Sequence, residues 1–251
     1  MMMFFAPPGE YMACGLFTIG HFWLTLLTVI GIILALKFTK KRSDVQNIIR
    51  KCTIFVWIYE IVIIAFKITT GGIKNVNNYV PLYYCSLLLY AGLLSSFAKG
   101  KLKRIGDVFL ATGGIVGGAL YLIYPLTSIA TYPAFHLVST HSFIFHGIMV
   151  YLGILINITR YIEINHKDII YYFWLVVFAS ALASIVNRIF DSNLMFISKN
   201  FPGNIVIEPL YNLSGKFFPL VMTFGQATLP FYLIYGIQKI IRKNERQTEK
   251  N

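Results

Sequence analysis

HFWLTLLTVIGIILALKFTKKR, residues 21–42, is an apolar run closed by a cluster of bases. A bilayer core takes about 20 apolar residues in a helix, and Lys and Arg gather where such a helix emerges on the cytoplasmic side. The run belongs to a stretch placed at 16–38, and six more follow at 52–70, 80–98, 105–124, 141–158, 169–186 and 217–237. The segment from Lys37 to Lys51 carries six Lys or Arg, the loop from Lys99 to Arg104 four, the loop from Arg160 to Lys167 two, and the tail from Lys239 five. These alternate loops hold 17 of the 22 bases. The remaining five are Lys67, Lys74, Arg188, Lys199 and Lys216. The pattern predicts an all-α polytopic membrane protein with seven transmembrane helices, its N-terminus outside and its C-terminus cytoplasmic. One bundle over 1–251 is expected, with a short outer segment 1–15, a basic cytoplasmic tail 238–251 and a multi-pass position in the cell membrane.

Composition agrees with that reading. The chain is 57% hydrophobic and 13% charged, with a mean hydropathy of +0.66. A net charge of +12 would suit a nucleic-acid partner, but the bases sit at helix ends, with no basic face and no stacking platform. Membrane lipids are the expected partners, and protein partners are not legible. Three cysteines cannot build a disulfide framework, although Cys14 and Cys85 both fall toward the outer side and could pair. The start of the chain lacks a basic n-region, so the first stretch is expected to stay as a membrane helix.

Polar groups at membrane depth are costly, and each asks for a partner or a role. Cys85 lies five residues into the third stretch and His146 five residues into the fifth, and both stretches enter from the outside, so the two share a depth. A thiol beside a base is a nucleophile, which makes this pair the candidate catalytic centre. Either residue could equally be packing, the cysteine as a small hydrophobe and the histidine as a bond between helices. His141 points about 140° away from His146 around the helix and is expected at the interface. His21, Tyr83, Tyr84, Asn187 and Arg188 collect at the same outer end and could line a headgroup cavity, with Arg188 suited to phosphate. Glu60 is the one carboxylate near mid-membrane and needs a partner. Asp107 is expected to cap the fourth helix. Gly113, Gly114, Gly117 and Gly118 predict close helix contact. Tyr121, Tyr124, Tyr132 and Phe135 read as an interfacial aromatic belt. No phosphate-loop, zinc-protease, serine-elbow or C-x-x-C motif occurs, and His136, His141 and His146 at five-residue spacing scatter around a helix, so no metal or cofactor is expected.

VPLYYCSLLLY, residues 80–90, resembles the LPLHLC signature of the YwaF-like integral membrane proteins. TYPAFHLVSTHSFIFHGI, 131–148, is similar to that family's outer loop leading into a helix with a characteristic His, matched by His146, and NLMFISKNFP, 193–202, is similar to its run after the sixth helix. The resemblance spans roughly 22–236. A related eukaryotic membrane protein is a cysteine-dependent phospholipid acyltransferase, which implies Cys85 as nucleophile and His146 as base. The signature's His is Tyr83 here, so any retained chemistry rests on His146 alone. The leading expectation is a thiol-dependent lipid acyltransferase with its site at the outer end of the bundle. Tyr83, Asn187 or Arg188 would then bind the headgroup or oxyanion. The alternative is a non-catalytic binding or transport component in which Tyr84, His141 and Glu60 contact a small polar solute or lipid.

Overall fold

The computed structural model describes residues 3–39, 45–72, 75–201, 204 and 206–248. Lys40, Lys41, Arg42, Lys74, Pro202 and Lys250 lie outside that set. Among the described residues there is no strand; the elements are nine α-helices joined by short 3-10 turns. They are α1 Ile19–Thr39, α2 Val45–Thr69, α3 Leu87–Phe97, α4 Gly100–Ala111, α5 Gly113–Ile123, α6 Leu137–Ile158, α7 Ile169–Phe190, α8 Ile207–Ser214 and α9 Phe218–Thr248.

Among the described residues, six segments are long and apolar enough to cross a membrane, with α4 and α5 together making one of them. α6 and the α4–α5 pair form the centre, and most of their residues are buried, whereas α1 and α2 are largely exposed. The exposed side chains include Phe22, Trp23, Leu27 and Ile33 on α1, Ile54 and Ile58 on α2, Phe178 and Ile185 on α7, and Leu229 and Leu233 on α9. An apolar outer surface of this kind needs lipid around it.

Two of the seven predicted stretches take a different form. α3 begins only at Leu87 and has 11 residues, or about 16 Å at 1.5 Å per residue, which is half a bilayer core. Residues 80–86 are non-helical, held by turn bonds from Leu82 N to Val80 O (2.8 Å) and from Leu87 N to Tyr84 O (3.2 Å). Pro81 lacks the N–H an interior helical position requires. The fourth stretch breaks at Thr112, where φ is −123° and ψ −75°. The Thr112 hydroxyl donates to Val108 O at 2.7 Å, and Ile115 N and Val116 N turn back to Thr112 O.

The glycines set the closest approaches. A Cβ on Gly118 would stand 2.6 Å from Val150 Cγ2 and 2.8 Å from His146 O, and one on Gly117 would meet the Tyr84 ring at 2.9 Å. A Cβ on Gly106 would collide with the α3 backbone at Ala91 O and, at 2.5 Å, Ser95 N. The expected small-residue packing of α5 is thus an α5–α6 seam.

One end of the bundle, here the basic end, is closed by a charged network. Asp107 accepts from Lys103 Nζ at 2.7 Å and from Ser95 Oγ at 2.5 Å. It lies eight residues past the N-cap Lys99, so it ties α4 to α3 and caps neither. Lys103 also donates to Tyr161 OH (2.8 Å), which bonds Gln46, which donates to Ser95 O (2.8 Å). Arg104 forks onto both oxygens of buried Asp168 at 2.9 and 2.5 Å. α9 runs past the expected tail boundary to Thr248, so the described part of that tail is helical.

Candidate functional site

The opposite end carries the amino-terminal segment, tied down by Cys14 N to Tyr132 O (3.0 Å), Gly15 N to Ile129 O (2.8 Å) and His136 Nε2 to Ala6 O (3.0 Å). Here the polar groups anticipated from the sequence separate into three sets.

The first set surrounds Cys85. Because α3 starts at Leu87 with Ser86 as its N-cap, Cys85 sits in the turn that leads into a helix N-terminus, with Leu88 N bonded to Cys85 O at 3.0 Å. That places the positive end of the α3 dipole beside the thiol. Cys85 Sγ faces Gly117 O on α5 at 3.9 Å. On α6, His146 Nδ1 donates to Ser142 O at 2.7 Å. That bond fixes the neutral tautomer with the lone pair on Nε2. His146 is 7% exposed, and its Nε2 is buried without a hydrogen-bond partner. Its ring lies flat on Tyr121, with centroids 3.5 Å apart and planes 9° from parallel. Tyr121 is one turn beyond Gly117, within electrostatic reach of Cys85, and its hydroxyl bonds Ser128 Oγ. Cys85 and His146 therefore flank the Gly117–Gly118 step and share Tyr121 as a neighbour. They are not hydrogen-bonded to each other. The three cysteines are free, Cys14 Sγ resting 3.2 Å from Thr18 Oγ1.

The second set pairs Glu60 with His141, Nε2 to Oε2 at 3.3 Å, across the α2–α6 contact. The separation is that of an ion pair, but the angle falls short of a hydrogen bond, and His141 Nε2 is among the unsatisfied buried atoms. His141 is 7% exposed and edge-on to Tyr59 at 4.6 Å, so it is a core residue and not the interfacial one expected.

The third set is a structural clamp. Asn187 receives Leu194 N and Ser192 Oγ at 2.7 Å each, and donates to Ser198 Oγ (2.7 Å) and Leu194 O (3.1 Å). With both ends of its amide engaged, Asn187 organises the 192–198 turn and has no free donor for a ligand. Arg188 is exposed on the α7 surface. Asp191 pairs with Lys199 at 2.8 Å. Tyr83 packs on Phe196, centroids 5.3 Å apart. Tyr84 OH is 2.5 Å from Tyr172 OH, which donates to Gln226 O at 3.2 Å. That carbonyl is free because the residue four later is Pro230, which has no N–H to return.

His21 is removed from the cavity-lining group by its bonds. Its Nδ1 accepts from Phe17 N at 3.1 Å, and its Nε2 meets Leu122 O at 3.0 Å, so it staples α1 to α5. The aromatic belt also divides. Tyr121 and Tyr132 are buried, each stacked on a histidine, whereas Phe135 is 68% exposed. Sequence reasoning passed over Ser142, Tyr172 and Gln226. An amide in an otherwise apolar span, four residues before a proline, was the available signal for Gln226.

Among the described residues no group of three or more His, Cys, Asp or Glu side chains is placed to hold a metal. No curated protein and no solved structure matched the chain. The TMEM164 family, a family of membrane proteins, matches over residues 16–235, which takes in every helix from α1 into α9 and all three sets of polar residues; the chain is an integral membrane protein of the TMEM164 family.

Proposed function

We propose that this protein is a thiol-dependent phospholipid acyltransferase, with Cys85 as nucleophile and His146 as general base. The observation that carries the reading is the state of His146. Its Nδ1 proton is committed to Ser142 O, and the basic Nε2 is buried and unpartnered on a ring stacked against Tyr121, one turn from the Gly117 carbonyl that Cys85 faces. A buried acceptor left without a donor costs about 1–3 kcal/mol, an expense that suits a working group better than a packing one. The resemblance of residues 80–90 to the signature of the YwaF-like membrane proteins, which have a cysteine-dependent phospholipid acyltransferase as a eukaryotic relative, supports the same reading.

In the proposed cycle the Cys85 thiol leaves Gly117 O and passes its proton to His146 Nε2 as Sγ attacks the ester carbonyl of a phospholipid. The C–S bond forms, and the C–O bond to the glycerol oxygen breaks. That oxygen takes the proton from His146, leaving a lysophospholipid and a Cys85 thioester. An acceptor hydroxyl then gives its proton to His146 and attacks the thioester, and Cys85 regains a proton as the new ester departs. A free thiolate is expensive in this apolar setting, so proton transfer accompanies bond formation. The α3 N-terminus is the group of positive character beside Cys85 for the oxyanion, since the Tyr84 hydroxyl proton is engaged by Tyr172. The alternating bases support an N-terminus outside and a C-terminus in the cytoplasm, which puts the site toward the outer leaflet.

The experiment is acyl exchange between isotopically labelled phospholipid and lysophospholipid in vesicles holding the purified protein. Wild type transfers label, Cys85→Ala does not, and His146→Gln is slower by about 10²–10⁴. Transfer that survives Cys85→Ala defeats the reading. A second reading, a non-catalytic binding or transport component, draws on the Glu60–His141 pair, because ionisable pairs inside a membrane mark solute and proton paths. It predicts solute uptake that is lost in Glu60→Gln and retained in Cys85→Ala.

A further inference from the structure

The turn after α7 is held in a costly shape by contacts that converge on the Cys85 segment. Asp191, Met195 and Phe196 have φ of 48°, 58° and 53°. Left-handed backbone is costly at non-glycine residues and persists only where surroundings over-determine it. Asn187 makes its four bonds to the turn, Gln226 Nε2 of α9 donates to Met195 O at 2.9 Å, and Asn193 Oδ1 receives Ser198 N and Lys199 N at 3.0 Å each. Asn193 N reaches Asn77 Oδ1 at 3.4 Å.

The turn does not lie on the surface. Leu194, Met195 and Ile197 are each 0% exposed and belong to the main core cluster with Ala183, Ala227 and Phe231. It grips the residues before Cys85 from two sides. Phe196 packs on Tyr83, and Met195 connects through Gln226 and Tyr172 to Tyr84. A strained loop of apolar side chains is therefore packed into the core against the two residues that precede the candidate nucleophile.

We infer that residues 192–198 form a displaceable plug beside Cys85, and that the apolar slots of Leu194, Met195 and Ile197 receive the acyl chain of a phospholipid when the plug lifts. The stored strain lowers the cost of lifting, and the Asn187 and Gln226 bonds set the resting position. The ligand class follows from the slots, which offer hydrocarbon contacts. This rests on the Cys85 reading above and adds how substrate reaches it.

The test measures alkylation of Cys85 by N-ethylmaleimide in full-length Cys14→Ser/Cys52→Ser protein in phosphatidylcholine vesicles, followed by intact mass. Gln226→Leu removes the bond to Met195 O and leaves the backbone carbonyl that Tyr172 uses. It is expected to speed labelling about fivefold, the worth of one neutral hydrogen bond. Asn187→Ala, which removes four bonds, should speed it more. Phe196→Leu, a milder change, guards against a folding failure in the other two. Equal labelling rates in wild type and all three variants overturn the plug. The same series in a His146→Gln background separates the two proposals. If His146 is the base, every rate falls by a common factor while the ratio between variant and parent persists. If His146→Gln changes nothing but the ratio stays, the base assignment fails and the plug stands.

Discussion

The two ends of the bundle satisfy their polar groups to different degrees. At the basic end Asp107, Asp168, Lys103, Arg104, Tyr161 and Gln46 close a network in which each charged group meets an opposite charge or a hydrogen-bonding neighbour. At the amino-terminal end His141 Nε2, His146 Nε2 and Gln226 Oε1 are buried without hydrogen-bond partners, and three non-glycine residues between 191 and 196 hold left-handed backbone. Both ends spend burial on polar side chains. The basic end is not wholly satisfied, since Gln238 Oε1 beside Asn157 is buried without a partner and Arg160 has a φ of 51°, but the unpartnered basic nitrogens of His141 and His146 lie at the amino-terminal end, where a working group would need them.

The sharpest way to break this contrast is at Cys85. Cys85→Ala should abolish acyl exchange while the melting temperature in detergent stays within a degree or two, because the thiol gives up only a long contact to Gly117 O. The inverse is expected at the basic end. Arg104→Ala leaves the Asp168 carboxylate buried without its fork and should cost about 3 kcal/mol in denaturant titration, reduced by the partial exposure of Arg104, with His146 reactivity unchanged. Next in size is Gly118→Ala. Its methyl would press on His146 O and Val150, a backbone contact that can relieve itself only by moving α5 from α6, for about 1–3 kcal/mol and a slower Cys85 alkylation.

Smaller still is a pH effect on the amino-terminal segment. Burial holds the His136 imidazole below its usual range, where its Nδ1 accepts from Val138 N and its Nε2 bonds Ala6 O. A histidine whose folded value is depressed contributes stability above the unfolded value of about 6.5 and loses it as pH falls below. Amide exchange in residues 3–15 should therefore rise on acidification, and His136→Gln should flatten that response. Arg188→Ala stands at the bottom of the scale, within about 0.5 kcal/mol, since the side chain is exposed on the α7 surface.

Much of the architecture is visible in hydropathy alone, because an apolar run of about 20 residues has few other ways to be soluble in lipid. The interruptions are not. Residues 105–124 read as one helix, since nothing in the composition of a glycine-rich run reveals that Thr112 turns its hydroxyl onto Val108 O. Residues 80–98 read as another, although Pro81 signals that the helix starts late. The site is legible in one coordinate only. Depth puts Cys85 and His146 at one level, and each packs against α5, Cys85 at Gly117 and His146 on Tyr121, but depth says nothing of azimuth. Azimuth is what joins Glu60 to His141 across α2 and α6, and what turns Asn187 from a ligand contact into the clamp of a loop. His21 shows the same limit, because a histidine near an outer end reads as a cavity wall until Phe17 N and Leu122 O take its two nitrogens.

If the amino-terminal end is chemically active, it leaves an acyl-enzyme as its trace. Full-length protein incubated with phospholipid and quenched in acid should show, by intact mass, one added acyl chain that maps to Cys85, is released by neutral hydroxylamine, and is absent from Cys85→Ala. An unmodified mass for the folded wild type under the same conditions, with no thioester at Cys85 in the presence of excess lipid, would contradict it.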